Sequence, residues 1–468
     1  MLRSLQNFFL GLTCCLLLVA CGGGNSSTTT ISGPGLNSLG QSPAVSLFSA
    51  PHAPFTQRID NLQVEVNTGP TRNFSGGSAN ILYATVTVCE PGTANCATVP
   101  HVLVDTGSVG LRVLASKLSR LNLLTVKWVD ANLNPTANSY ECYPFVIGGL
   151  WGRNVMADAT MGRQTAQRIP IHLIEDTPAA TVQATDNCID ASGGKIVHPD
   201  GSITHDGTVM LNGVDALGAN GILGVGSTTV DCGSSCLVPY TDFVQYYVCP
   251  LNATSSANCA PAAQDEAYQV YNPISALPPM YNSGVVLSLP NVPWPGAVSA
   301  TGELAFGVDP SALPAINQIK LGTDWASRPA SYLNVTTSYT NRSGVAQSLV
   351  RSYLDTGTNG YFFTDNVIAP CIGSAWYCPA STLTMQAIIS DGDNPSLHRM
   401  TVNFNIGNSE TLFSTSNTAF GELGGSPPNS VSGFAWGLPF FFGKRVYLSI
   451  WADANTANGP WYAWELLP

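Results

Sequence analysis

A chain of 468 residues with a formal net charge of −11, in which only 10% of residues are charged, is long enough for two or three domains and a large buried core. It contains no run of Lys or Arg, and phosphate contacts need clustered cations, so the composition argues against nucleic acid as a partner. The 45 Gly and 32 Pro among β-branched residues, Thr and Ser predict short strands joined by many turns, an all-β class.

In chain order, residues 1–20 read as a signal peptide, with Arg3 as the positive region and Phe8 to Leu18 as the apolar run. The run is short of the roughly 20 apolar residues that span a bilayer, and no later stretch is long enough. Leu18-Val19-Ala20-Cys21 resembles a bacterial lipobox, which makes Cys21 the acylated first residue of the mature chain. Gly22 rather than Asp follows it, compatible with sorting to the outer membrane. The expected location is the bacterial cell envelope, with membrane contact through the N-terminal lipid and the chain facing the periplasm or the cell surface.

Residues 21–58 are rich in Gly, Ser, Thr, Pro and Asn, with almost no charge. They form an expected flexible tether of about 35 residues with a span of roughly 30 to 35 Å. A basic helical pro-segment is not visible in it.

The folded part begins near Asn61. Leu62 to Val66 and Ile81 to Val88 alternate, Glu90 to Asn95 form a turn, and the apolar Val102-Leu103-Val104 delivers Asp105. Asp105-Thr106-Gly107-Ser108 returns in the second half as Asp355-Thr356-Gly357-Thr358, preceded by Ser352-Tyr353-Leu354. Glycine at the third position lets backbone approach closely, so that N–H groups can point at the carboxylate. One copy reads as a turn in which Asp bonds its own backbone. Two copies at equivalent places suggest two related halves that each contribute a carboxylate. Carboxyls about 3 Å apart cannot both ionise, so they share a proton and divide the roles of acid and base. That chemistry adds water to a peptide carbonyl.

Downstream of each aspartate lies an apolar pair closed by glycine, Ile222-Leu223-Gly224 within Asn220 to Gly224, and Ala435-Trp436-Gly437 after Phe434. Of the 13 cysteines, Cys14 and Cys15 fall in the signal and Cys21 takes the lipid. Four close pairs follow, Cys89 with Cys96, Cys232 with Cys236, Cys249 with Cys259 and Cys371 with Cys378, which leaves Cys142 for Cys188. Five disulfides in an oxidising compartment is the simplest inference. A zinc site is the weaker reading, since no His stands at ligand spacing beside a pair.

From about Asn61 to about Trp451 the chain resembles the pepsin-like aspartic proteases, in which each lobe has an apolar strand, an Asp-Thr-Gly-Ser/Thr loop and a hydrophobic-hydrophobic-Gly segment beneath it. Gly302 to Asp309 is similar to the glycine-rich strand that leads out of that family's first lobe. The resemblance implies a bilobal fold with an interlobe cleft, an N-terminal lobe over 59–305 and a C-terminal lobe over 306–468. It implies that Asp105 and Asp355 hold the attacking water, that Thr106 and Thr356 interlock beneath them, and that Ser108 and Thr358 bond the outer carboxylate oxygens. Gly107 and Gly357 complete the loops. No metal or organic cofactor is implied, the partner is a peptide or unfolded protein substrate, and the chain is a monomer.

Two departures stand out. The family's flap hairpin carries a tyrosine ahead of glycines; here Tyr143 fits by identity and Phe145 by its distance from Gly148-Gly149. Where the family has a tryptophan after the first aspartate this chain has Arg112, read as a surface strand residue or, alternatively, as a cleft residue that binds an acidic group. Elsewhere, His198-Pro199-Asp200-Gly201 and His205-Asp206-Gly207 read as hairpin turns rather than a metal loop. Ser390 to Asn394 lacks the glutamate a calcium loop needs, and no Gly-x-Ser-x-Gly elbow is present. The expectation is an aspartic endopeptidase; the alternative is a catalytically silent pepsin-like protein that binds peptides or envelope components.

Overall fold

Along Leu62–Val66 the first, third and fifth residues are buried and Gln63 is exposed, the period-two pattern of a strand with one face in a core. The same logic runs through a chain built almost wholly of strands. A computed structural model describes residues 61–71, 78–129, 132, 134–177, 182–198, 202–238, 245–308, 318–323, 333–427, 433–450 and 460–467, with the backbone of Leu36–Asn37. The expected signal, Cys21, the rest of the tether and the Pro199-Asp200-Gly201 turn lie outside these residues.

The fold is all-β and bilobal, of the pepsin-like kind. Among the described residues an 18-stranded sheet dominates the first half and an 8-stranded sheet the second. The chain's last strands return to the first sheet. Lys444–Ser449 pairs antiparallel with Gly284–Leu289 and with Trp461–Leu466. Gly284–Leu289 pairs in turn with Ala300–Phe306, and that strand with Leu62–Val66. Strands from both ends of the chain therefore lie side by side, and one hydrophobic cluster runs from Leu62 through Leu223 and Leu354 to Trp464.

Each Asp-Thr-Gly loop rests on the same small construction. Cys96–Asp105 runs parallel to Gly221–Val225, with Asp105 beside Gly224, and Val109–Leu114 packs antiparallel on its other side. In the second half Ala346–Leu354 runs parallel to Ala435–Trp436, and Tyr361–Phe362 lies antiparallel to it. The apolar-apolar-Gly segments are thus the middle strands under the loops. Gly437 has to be glycine there, because a Cβ would stand 2.3 Å from the Gly360 carbonyl oxygen and 2.4 Å from that of Thr358.

Below the second loop Trp436 stacks on Phe434 at 4.1 Å between ring centroids, Phe434 stacks on Phe363 at 4.7 Å, and Trp436 Nε1 donates to Thr337 Oγ1 at 2.9 Å. Truncating a buried ring of this size to alanine costs roughly 3–5 kcal/mol, so this stack fixes the floor under Asp355. Among the described residues there are five disulfides, Cys89–Cys96, Cys142–Cys188, Cys232–Cys236, Cys249–Cys259 and Cys371–Cys378.

Candidate active site

Asp105 ends one strand and Asp355 follows directly on the end of another, so both carboxyls emerge where regular pairing stops and loop N–H groups are free to turn inward. Asp105 Oδ1 accepts from the Gly107 N–H at 2.8 Å, and Oδ2 from Ser108 Oγ at 2.5 Å. Asp355 repeats this with the Gly357 N–H at 2.7 Å and Thr358 Oγ1 at 2.6 Å. The two loops face each other so closely that a Cβ on Gly107 would stand 2.6 Å from Asp355 Cγ, and one on Gly357 2.7 Å from Asp105 Oδ1. Glycine at both places is what lets the loops meet. Asp105 is buried and Asp355 half-buried, while Gly107 and Gly357 are exposed, so the pair lies at a surface open to solvent.

Beneath the carboxyls the two threonines cross. The Thr106 N–H donates to Thr356 Oγ1 at 3.0 Å and the Thr356 N–H to Thr106 Oγ1 at 3.1 Å. Each hydroxyl then donates to a carbonyl of the opposite strand, Thr356 Oγ1 to Val104 at 2.7 Å and Thr106 Oγ1 to Leu354 at 3.4 Å. The Tyr462 hydroxyl, on one of the last strands, also donates to the Leu354 carbonyl, at 2.8 Å. Asn80 clamps the halves further out, donating to the carbonyls of Asn359 and Phe420 and accepting from the Phe420 N–H.

Burial, the neighbouring Asp105 carboxylate and a hydrogen bond shared with it push the Asp355 carboxyl well above the usual range, against the opposing bonds from Thr358 and Gly357. Two carboxyls this close disfavour double ionisation, so the pair tends to hold one proton in common. Such a pair can donate from one carboxyl and accept at the other.

The flap candidates lie on the hairpin of Pro135–Phe145 and Gly148–Met161, whose tip exposes Val146 and Ile147. Tyr143 is buried; Phe145 is half-buried and packs against the cluster that contains Tyr83 and Leu150. The reading of Arg112 as a surface strand residue is overturned. Arg112 is fully buried, and its Nη2 sits 2.8 Å from Glu141 Oε1 and 2.7 Å from Asp231 Oδ2. It binds acidic groups, but the protein's own, which come from the flap strand and from a loop after Val225.

Around this cation His172 Nδ1 approaches Glu141 Oε2 at 2.8 Å, Gln245 donates to Glu141 at 3.0 Å, and the Tyr246 hydroxyl donates to Asp231 Oδ1 at 2.7 Å. Burial works against ionising Glu141, but Arg112 and His172 outweigh it and hold that carboxyl well below the usual range. Asp231 goes the other way: burial, the Glu141 carboxylate and their shared hydrogen bond raise it well above. Burial also lowers His172, against the pull of Glu141. The cluster therefore centres on the Arg112–Glu141 ion pair, with burial shifting Asp231 and His172 toward their neutral forms. Sequence reading missed it because Glu141, His172 and Asp231 carry no local motif; the one signal was an arginine inside an otherwise apolar strand.

Other candidates are occupied by structural bonds. The hairpin of Lys195–Val197 and Ile203–His205 carries His198 and His205, with His205 Nδ1 2.7 Å from Asp190. In the Ser390 to Asn394 stretch, Asp391 takes the Lys320 N–H on one oxygen and faces His398 Nδ1 at 2.7 Å with the other. Cys371, Cys378 and Glu410 lie near enough to share a cation, yet those cysteines are bonded to each other.

Two sheet-rich lobes whose Asp-Thr-Gly loops set their carboxyls against each other define a pepsin-like bilobal protein. The chain belongs to the family described as "Protein of unknown function (DUF3443)", whose model matches residues 57–464. No curated protein matches the chain. Among solved structures, the aspartic proteinase from Irpex lacteus is similar over 86% of this chain and 96% of its own, at 15% identity and a TM-score of 0.41.

Proposed function

We propose that this protein is an aspartic endopeptidase acting on extended segments of peptide or unfolded protein. The observation that supports the reading best is the reciprocal pair: two carboxyls from opposite halves, each with the same N–H and hydroxyl donors, on loops so close that a Cβ on Gly107 would stand 2.6 Å from Asp355 Cγ.

In this reading a water lies between the two carboxyls. Asp105 takes a proton from it as oxygen attacks the scissile carbonyl carbon, while Asp355 gives its proton to the carbonyl oxygen. The product is a neutral tetrahedral diol. Return of a proton from the Asp105 side to the peptide nitrogen breaks the C–N bond, and the hydroxyl proton goes back to Asp355, which restores the starting pair. The donors on Asp105 and Asp355 are bonded in advance, so little reorganisation is needed as charge moves. Nothing in the scheme calls on a metal.

Lipid anchorage at Cys21 and residence in the envelope are part of the same proposal. Their support is the Leu18 to Cys21 sequence and the five disulfides, which suit an oxidising compartment. The experiment for the catalytic claim is cleavage of an unfolded protein by the mature chain and by its Asp105→Asn and Asp355→Asn variants. The silent, peptide-binding alternative would leave both loops without selection for their full donor sets.

A further inference from the structure

We propose that Arg112 is the positioning residue of the flap: its guanidinium, fixed by Glu141, Asp231 and the Val109 carbonyl, lies over the Tyr143 ring with its central carbon 3.7 Å from the ring centroid and so sets the orientation of the phenol. The proposal rests on the endopeptidase reading and goes beyond it by assigning a residue that no motif marks.

The geometry joins two strands to one buried cation. Arg112 lies on the strand Val109–Leu114, four residues beyond Ser108, and its Nη1 donates to the Val109 carbonyl at 2.6 Å. Its other partners hold the flap: Glu141 sits two residues before Tyr143 on the hairpin strand, and Phe145 covers Tyr143 at 5.0 Å between centroids. The Cys142–Cys188 disulfide falls between Glu141 and Tyr143 and fixes the same strand from outside. A planar guanidinium is suited to this, since it can lie on a ring and donate in its own plane at once.

Burial, outweighing the pull of Arg112, keeps the Tyr143 phenol neutral, and Asp105 is among the carboxylates that act on it in the same direction. A neutral phenol within electrostatic reach of Asp105 can donate a hydrogen bond to a substrate oxygen or to the water on the pair. Stability alone does not account for the cluster, because buried ion pairs can be replaced by neutral side chains at little loss. What such a replacement would lose is a fixed orientation for the ring.

The test uses the whole mature chain with a peptide substrate. Arg112→Met alone would leave Glu141 an unpaired buried carboxylate, so the working variant is Arg112→Met with Glu141→Gln, compared with Tyr143→Phe and with all three changes together, each melted first. The expectation is that the double variant and Tyr143→Phe each lower kcat about tenfold or more with KM changed less than about threefold, and that the triple variant loses no more than the worse of them. Losses that multiply, or an undiminished kcat in the double variant, would overturn the proposal. If the double variant does not melt cooperatively, Arg112→Lys replaces it under the same two outcomes, since an ammonium keeps the charge but cannot lie flat on the ring. An inert wild type would end the endopeptidase reading and leave the flap claim to amide hydrogen exchange. Slow exchange at Cys142, Tyr143 and Phe145 that becomes fast in the variant supports it, and unchanged exchange overturns it.

Discussion

Thr106 and Thr356 exchange hydrogen bonds across the two halves, each backbone N–H donating to the other's Oγ1, at 3.0 and 3.1 Å. Both residues are buried, so neither group has water to fall back on. The register of the two aspartate loops is therefore set by these two bonds together with the two from the threonine hydroxyls to the Val104 and Leu354 carbonyls. Thr356→Val removes the acceptor for the Thr106 N–H and the donor to the Val104 carbonyl. We expect it to lower stability by roughly 1–3 kcal/mol in denaturant unfolding. Thr356→Ser, which keeps the hydroxyl, should recover most of that loss, and equal losses in the two variants would contradict the role of the bonds.

Cys142–Cys188 closes a 46-residue separation, whereas Cys232–Cys236 closes 4. Loop-closure entropy then gives about 4 kcal/mol for the first and about 2 kcal/mol for the second. Replacing each pair by alanine and comparing unfolding midpoints should show the larger loss for Cys142 and Cys188. A larger loss from the Cys232 and Cys236 pair would contradict the ordering.

The Asp355 carboxyl is raised in the folded state by burial and by Asp105, so the folded protein holds a proton there that the unfolded chain gives up near pH 4. A raised folded value contributes stability in full below that unfolded value and loses it as pH rises through the folded value. The melt of Asp355→Asn, which cannot ionise, should therefore gain on the wild type as pH is raised from about 4 toward neutrality. Activity should hold through the lower part of that interval and fall only as pH passes through the folded value, where the shared proton is lost. A melt difference that is flat with pH would remove the shared proton from the account.

How legible the site was in the sequence differs residue by residue. Asp105, Asp355, their threonines and the apolar-apolar-Gly segments were readable because each sits in a short local pattern that occurs twice. The ten folded-part cysteines were readable because four pairs lie close together and leave one pair over. Between Tyr143 and Phe145 the sequence leaves the flap position open, since residue type favours one and spacing from the glycines the other. Arg112 was not readable, since its partners come from three separate strands and loops and a lone arginine in a strand looks like a surface residue. Asn80 and Tyr462 were equally silent: what they bond is backbone, Asn359, Phe420 and Leu354, and backbone leaves no signature in side-chain order. The return of Lys444–Ser449 beside Gly284–Leu289 is a long-range pairing of the same kind.

With the proposed lipid anchor, the mature chain begins at an acylated Cys21. Mass spectrometry of the N-terminal peptide from an envelope fraction should carry the acyl mass, and Cys21→Ala should leave the protein unprocessed or soluble. An unmodified N-terminus at another residue would contradict the anchor.

The central claim is tested most directly by incubating the mature protein with an unfolded protein at mildly acidic pH, beside Asp105→Asn and Asp355→Asn. The account predicts that the wild type cleaves, that each variant is slower by about a thousandfold or more, and that all three melt within a few degrees of one another at that pH. Cleavage that survives either substitution, or a correctly folded wild type that cuts nothing, would contradict it.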